Sequence, residues 1–180
     1  NRGISTRTGA EAFFHPSLQH LNFSRALVDM NLALIRIHEA VLRQDPILIF
    51  GDYDVDGITA TVILYEFLTG VGATVSYYIP HRVHEGYGLK VSHIHEVAIP
   101  RGIRLLITVD CGSTSHHAIR EAKAAGIDTI ITDHHQIIEP LPPALAVINP
   151  KRNDNPDDMA HLAGVGVAFL LVLHLRRYFR

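Results

Sequence analysis

The chain has 180 residues, of which 47% are hydrophobic, and its formal net charge is −2 with a sequence pI near 6.7. This length suits one globular domain or a domain with an additional arm, and the near-neutral charge excludes a generally basic nucleic-acid coat but not a local binding groove. The single cysteine, Cys111, excludes an internal disulfide and indicates a reducing, cytoplasmic compartment.

The first 45 residues predict an N-terminal arm followed by one helix. Residues 1–22 are expected to be irregular, with the segment FFHPSLQHL docked on the core. Apolar residues at helical spacing predict a helix over residues 23–43, and Ser24 is a suitable N-cap for it.

From residue 46 onward, strand-like and helix-like segments alternate. We predict strands at 47–50, 74–79, 104–109, 128–132 and 144–149, helices at 58–70, 91–98, 115–126 and 164–179, and surface loops at 81–89 and 149–158. The last helix holds the longest apolar stretch, which is about half the roughly 20 residues of a membrane span, so we expect no membrane association. Alternation with uniformly apolar strands predicts an α/β domain, a parallel sheet with helices on both faces.

Acidic and histidine residues follow three of these strands at the point where each strand ends. They are Asp52, Asp54 and Asp56 after the first strand, Asp110 after the third, and Asp133, His134 and His135 after the fourth. Ligands of open parallel sheets bind beyond the carboxyl ends of the strands. If these strands are parallel, the seven side chains lie along one edge of the sheet.

The spacing of Asp52, Asp54 and Asp56, closed by Gly57, also resembles half of a calcium-binding loop. An EF-hand loop requires a bidentate glutamate at its twelfth position, which here is Ile63, and it follows a helix rather than a strand. We therefore reject an EF-hand. Clustered carboxylates require a neutralising cation, and oxygen ligands with one or two imidazoles suit Mn²⁺ or Mg²⁺. A set of this size can hold two ions about 4 Å apart, which predicts hydrolysis of a phosphate ester or diester.

Other interpretations of single residues remain open at this point. Asp110 is equally typical of a helix N-cap or a turn, and Asp133 of an N-cap or of a partner that orients a histidine. His116 and His117 are expected on the surface, in the first turn of a helix. The metal hypothesis depends on the coincidence at three strand ends.

The motifs DYDVDG, VDCG and TDHH, in this order, resemble the DHH phosphoesterase superfamily. Together with YYIPHRVHEGYGL, INPKR and LAGVGVAFLL they resemble the RecJ-type single-stranded-DNA exonucleases over about residues 40 to 175. The resemblance implies a Mn²⁺- or Mg²⁺-dependent 5′→3′ exonuclease that releases mononucleotides from single-stranded DNA during repair and recombination. It also implies single-stranded-DNA-binding protein and a helicase as partners.

The resemblance also assigns roles to individual residues. It implies that the metal ligands are Asp54, Asp56, Asp110 and His134. His135 is expected close to the metals and the scissile phosphate, as a ligand or as an acid or electrostatic catalyst, and Asp52 as a ligand or as a partner behind the ligands. With Asp133, these two residues form the predicted catalytic set. The block that includes Arg82, Gly86, Tyr87 and Gly88 is expected to bind substrate. The guanidinium of Arg82 could hold a phosphate, although a surface salt bridge would explain it as well.

The sequence departs from the family after residue 164. We find no block for the last metal-binding aspartate, nor for the DHHA1 and OB domains, and therefore expect 46–180 to be a C-terminally truncated DHH catalytic domain of a larger protein. A phosphodiesterase for short oligoribonucleotides or cyclic dinucleotides is the first alternative function. A RecJ-like replication scaffold without activity is the second.

Overall fold

The computed structural model describes residues 3–15, 17, 27–155 and 159–179. In these ranges, the strands are Ile47–Gly51 (β1), Val75–Tyr78 (β2), Leu105–Val109 (β3), Asp128–Thr132 (β4) and Ala146–Ile148 (β5). The helices are Arg7–Phe14 (α1), Met30–Arg43 (α2), Val55–Gly70 (α3), Val91–His93 (α4), His116–Ala124 (α5) and Gly164–Leu175 (α6), and α4 continues as a π-helix over Ile94–Ala98. None of the described helices is long and apolar enough to cross a membrane.

The strands form one sheet in the order β2-β1-β3-β4-β5, and every neighbouring pair is parallel. Side chains of a strand point alternately to its two faces. Ile47 and Ile49 therefore join the apolar cluster formed by α2, α3 and α6, whereas Leu48 and Phe50 join the cluster beneath α4 and α5. The predicted α/β architecture, a parallel sheet with helices on both faces, is confirmed.

The N-terminal region differs from its prediction. Residues 7–14 are helical rather than irregular, because the side chain of Thr6 caps α1 by accepting a hydrogen bond from the amide of Gly9. The apolar residues of 13–21 do not all dock: Phe13 and Phe14 are exposed, and most of the remainder lies outside the described residues. Ser24, the expected N-cap, is also outside them, and α2 begins at Met30.

The start of α3 and the packing of α2 depend on contacts that apolar periodicity does not report. α3 begins at Val55, three residues before the predicted start, because Asp54 serves as its N-cap. α2, assigned by sequence to the arm, packs in the same apolar cluster as α3 and α6 through residues such as Ile37 and Ala40. The helix therefore supports the sheet from the face that also carries α6.

The edge strand β5 is closed by side chains. Oδ2 of Asp29 accepts a hydrogen bond from the amide of Val147 at 3.0 Å, and Nη1 of Arg152 donates to the carbonyl of Val147 at 2.8 Å. Arg152 and Asp29 also form an ion pair at 2.7 Å. Unpaired strand edges invite association with other chains, and here both outward groups of Val147 are satisfied within the chain.

Candidate metal centre

The three loops that follow β1, β3 and β4 meet at the carboxyl edge of the sheet. Ligand atoms of Asp52, Asp54 and Asp110 lie within 4.8 Å of one another, and so do those of Asp110, His134 and His135. Asp110 belongs to both groups because β3 runs between β1 and β4. The expectation that these distant residues share one edge is therefore confirmed by the geometry.

The loop after β1 is held tightly against the start of α3. Oδ1 of Asp54 accepts the amide hydrogen of Gly57 at 3.0 Å, and Oδ1 of Asp52 accepts that of Tyr53 at 2.7 Å. A Cβ atom at Gly57 would lie 2.6 Å from the amide nitrogen of Asp52, so only glycine allows this close approach. Burial, and then the charge of Asp54, raise the pKa of Asp52.

Asp56 connects this loop to α6. Its Oδ2 accepts a hydrogen bond from the amide of Gly164 at 2.8 Å, and its Oδ1 accepts one from Val165 at 2.6 Å. The carboxylate thus satisfies amides at the N-terminus of α6, where the helix dipole favours negative charge. The same Oδ2 lies 3.5 Å from Nε2 of His134, so Asp56 also faces the other loops.

Asp110 is the buried centre of the site, with 1% of its surface exposed. Its Oδ1 accepts no hydrogen bond among the described residues, although Nε2 of His134 lies 3.1 Å away. Burial, followed by the charges of Asp56 and Asp54, raises its pKa to about 8. A buried carboxylate oxygen without a donor, beside other carboxylates, is what a bound cation would satisfy.

The structure tests the interpretations left open for two aspartates, and it keeps the turn interpretation of Asp110, whose φ of 60° suits a turn residue. Ser115, not Asp110, occupies the N-cap position of α5, and residues 133–145, which begin with Asp133, form no helix. Asp133 instead accepts hydrogen bonds through Oδ1 from Nδ1 of His135 at 2.8 Å and through Oδ2 from the amide of Ser113 at 2.9 Å. Asp133 is therefore a hydrogen-bond partner that orients a histidine.

The pKa values of this pair follow from the same contacts. Burial alone would raise the pKa of Asp133, but the hydrogen bonds from His135 and Ser113 outweigh it and lower the pKa. The hydrogen bond to Asp133 raises the pKa of His135. Because Nδ1 of His135 is held by the carboxylate, its Nε2, which lies 3.2 Å from the hydroxyl of Tyr87, is the ring nitrogen that does not bond Asp133.

The donor set fits Mn²⁺ or Mg²⁺. Carboxylate oxygens dominate, two imidazoles accompany them, and the buried thiol of Cys111 has a pKa raised by burial and donates towards the carbonyl of Phe50. The unpartnered Oδ1 of Asp110 is the observation that carries this fit. Two groups of side chains, one of Asp52, Asp54 and Asp110 and one of Asp110, His134 and His135, have the spacing to hold an ion, and Asp56 lies 3.5 Å from His134 at their side.

The glycine-containing loop borders the centre on the side of His135. The hydroxyl of Tyr87 lies 3.1 Å from Nδ1 and 3.2 Å from Nε2 of that imidazole, and Gly86 and Gly88 have positive φ angles of 70° and 77° that favour glycine. The guanidinium of Arg82 lies 5.4 Å from the ring centroid of Tyr53, and Arg82 forms no ion pair among the described residues. A cavity of about 750 Å³ opens next to Tyr87 and His135.

Sequence reasoning assigned no role to several residues that shape the centre. Gly164 and Val165 donate their main-chain amides to Asp56. Buried Asn149 donates to the hydroxyl of Ser113 and to the carbonyl of His135. The blocks LAGVGVAFLL and INPKR contain three of these residues, but their types are also ordinary in a helix start or a turn. Only the tertiary contacts single them out.

Comparisons with known proteins agree with this site. The model of the DHH family, N-terminal domain, matches residues 46–179. The single-stranded-DNA-specific exonuclease RecJ of Bacillus subtilis is 39% identical over 170 residues, which cover 94% of this chain and 22% of that protein. RecJ of Haemophilus influenzae is 43% identical over 143 residues, covering 79% of this chain and 25% of that protein. The chain thus spans about a quarter of the length of these relatives.

Solved structures give the same result. A crystal structure of exonuclease RecJ bound to manganese superimposes with a TM-score of 0.77 at 38% identity, covering 85% of this chain and 38% of the other. The match of the family model across most of the chain, with the aspartates and histidines gathered at one edge of a matching fold, shows that the chain belongs to the DHH family.

Proposed function

We propose that this chain forms the metal-binding part of a single-stranded-DNA exonuclease that hydrolyses phosphodiesters from the 5′ end and releases 5′-mononucleotides. The observation that carries the proposal is that Asp54 and His134 each come close to buried Asp110, whose Oδ1 accepts no hydrogen bond among the described residues, while Asp56 lies 3.5 Å from His134. The named activity of the RecJ relatives, and the manganese bound to one of them, support the substrate and the ion.

The metal ligands proposed are Asp54, Asp56, Asp110 and His134. When bound, a pair of Mn²⁺ or Mg²⁺ ions supplies a water of lowered pKa and stabilises negative charge on phosphoryl oxygens. The chain itself keeps the carboxylates close despite their repulsion, through the amides of Gly57, Gly164 and Val165. These fixed donors hold the ligand geometry before an ion arrives.

Asp52, Asp133 and His135 are proposed to act beside the ions. Asp133 fixes Nδ1 of His135, so that Nε2 can donate a proton or a hydrogen bond to a phosphate oxygen or a leaving oxygen. Asp52, whose pKa is raised by burial, adds a further carboxyl group at this edge of the sheet.

Arg82, Gly86, Tyr87 and Gly88 are proposed to bind the nucleic acid. Arg82 is exposed and held over Tyr53, next to the aspartates, where its planar donor fork could grip a phosphate. The positive φ angles of Gly86 and Gly88 flank Tyr87, whose hydroxyl lies beside the imidazole of His135.

The biological setting is also a proposal. We infer a cytoplasmic repair and recombination enzyme that acts with single-stranded-DNA-binding protein and a helicase. In it, residues 46–180 would form the catalytic domain, and further domains of the protein would close over the strand. The near-neutral charge agrees with a DNA groove shared with other parts of the protein.

A substrate panel tests the proposal. The full-length protein is incubated with 5′- and 3′-labelled single-stranded DNA, duplex DNA and dinucleotide RNA, each with Mn²⁺ and with EDTA. We expect release of labelled mononucleotides only from the 5′ end of single-stranded DNA, and only with metal. His134→Ala and Asp110→Ala should each nearly abolish it. Unchanged activity in either variant would refute the site assignment.

The same panel separates the alternatives. Preferred cleavage of dinucleotide RNA over DNA would show a phosphodiesterase for short oligoribonucleotides, for which the 2′-hydroxyl is the distinguishing group. Metal binding without hydrolysis of any substrate would show a RecJ-like scaffold.

A further inference from the structure

Asn149 lies directly after β5, is fully buried, and makes three side-chain hydrogen bonds. Its Nδ2 donates to Oγ of Ser113 and to the carbonyl oxygen of His135, both at 2.9 Å. Its Oδ1 accepts the amide hydrogen of Lys151 at 2.9 Å. Both donors and the acceptor of the amide group are thus directed at the loops after β3, β4 and β5.

These bonds close a ring around the second histidine. Asn149 bonds Ser113, the amide of Ser113 donates to Asp133, Asp133 accepts from the imidazole of His135, and the carbonyl of His135 accepts from Asn149. Both ends of His135, main chain and ring, are therefore fixed by one buried network. Only a carboxamide offers two donors and an acceptor on one planar group of this size.

We propose that Asn149 is a positioning residue for the metal centre, which sets the direction of the His135 imidazole by holding its main chain and, through Ser113, its Asp133 partner. The inference rests on the proposed function, in which His135 faces the ions. Among the described residues, the side chain of Asn149 bonds none of the proposed ligands Asp54, Asp56, Asp110 and His134. Hydrogen-bond partners that orient residues of a metal centre typically change metal affinity 10- to 100-fold when they are lost.

The test replaces Asn149 by aspartate, which keeps the size of the side chain but removes both donors and places a charge against the carbonyl of His135. In the full-length protein, the Mn²⁺ dissociation constant is measured by isothermal titration calorimetry, alongside kcat and KM for single-stranded DNA. We expect Asn149→Asp to raise the Mn²⁺ dissociation constant about 10-fold or more, and to lower kcat with little change in KM.

Asn155→Asp is the matched control. Asn155 is buried in the same loop, donates to the carbonyl of Asn149 and accepts from the amide of Val28. Within the part of the chain that the structure describes, its side chain makes no hydrogen bond to Ser113 or His135. We expect Asn155→Asp to lower the melting temperature without lowering the affinity for Mn²⁺. An equal loss of Mn²⁺ affinity in both variants would overturn the inference, because general loosening of the loop would then explain it.

Ser113→Ala keeps the test decisive should Asn149→Asp fail to fold. It removes the hydroxyl that links Asn149 to this network and that also bonds Asp133, while the main-chain bond of Ser113 to Asp133 remains. We expect Ser113→Ala to cause a smaller but measurable loss of Mn²⁺ affinity. If the folded variants bind Mn²⁺ as tightly as the wild type, the inference is overturned, whereas the proposed function is not. A wild-type protein that bound no Mn²⁺ would instead overturn the proposed function, and the inference with it.

Discussion

Gly164, the first residue of α6, packs so closely on the carboxyl group of Asp110 that no space remains for a side chain. A Cβ atom at this position would lie 2.8 Å from both Cβ and Cγ of Asp110. The amide of the same residue binds Asp56 at 2.8 Å. One glycine in the last helix thus sets the distance between α6 and two carboxylates from different strand ends.

Gly164→Ala is therefore expected to disrupt the metal centre although it changes no ligand. The methyl group must displace Asp110 or α6, and we expect at least a roughly 10-fold loss of Mn²⁺ affinity in a calorimetric titration. Gly166→Ala, in the same helix, is the control: its added Cβ would meet only side-chain atoms of Leu162, the nearest at 3.3 Å. Equal Mn²⁺ affinity in the two variants would contradict this account.

Asp110→Asn should stabilise the metal-free protein in a pH-dependent manner. The pKa of Asp110 rises from 3.8 in the unfolded chain to about 8 in the fold, so the folded state binds a proton that the unfolded state has lost. The wild type therefore loses stability relative to the variant as the pH rises from about 4 to 8, by an amount on the order of a few kcal/mol. Thermal melts in EDTA at several pH values measure this difference.

Saturating Mn²⁺ should reverse that ranking, because the ion stabilises only a protein that can bind it. If the difference between wild type and Asp110→Asn in EDTA does not change between about pH 4 and 8, the raised pKa is wrong.

Glu85→Gln should destabilise the protein only where Glu85 is ionised. Its pKa is lowered by hydrogen bonds from the amide of His81 and from the hydroxyl of Tyr78, both at 2.6 Å. A lowered pKa contributes stability above the unfolded value of 4.5, and this contribution is lost as the pH falls through the lower folded value.

We expect a loss of about 2 kcal/mol at neutral pH for Glu85→Gln in urea unfolding, shrinking towards zero in strong acid. Glu66→Gln, on the exposed face of α3, serves as the control and should have little effect at either pH. A loss that is equally large at neutral and at low pH would exclude the ionic origin.

Arg152→Ala should destabilise the edge of the sheet. The side chain of Arg152 is 9% exposed, and its loss leaves Asp29 without its ion pair and the carbonyl of Val147 without its donor. We expect about 2 kcal/mol or more in chemical denaturation, and faster amide exchange in β5. Arg43→Ala is the control: Arg43 pairs with Glu39 on an exposed surface, and its loss should cost less than about 1 kcal/mol. Similar losses in the two variants would contradict closure of the edge by Arg152.

The sequence by itself determined the α/β class, the five parallel strands and the residues at their ends. Each of these features is local: strands are short apolar runs, and the aspartates and histidines come directly after them in the chain. Parallel pairing then leaves the ends of β1, β3 and β4 on one side, so the meeting of Asp52, Asp110 and His134 follows from topology alone.

The tertiary structure alone decided what holds those residues in place. Asp56 and Gly164 are 108 positions apart, and the contact of Gly164 with Asp110 depends on the packing of α6 against the sheet. The hydrogen bonds of Asn149 to Ser113 and His135, and the bond of Asp29 to β5, likewise join segments that are distant in the sequence. Hydrogen bonds between distant segments leave no periodic signal in the chain, because their geometry exists only after the apolar faces have been buried.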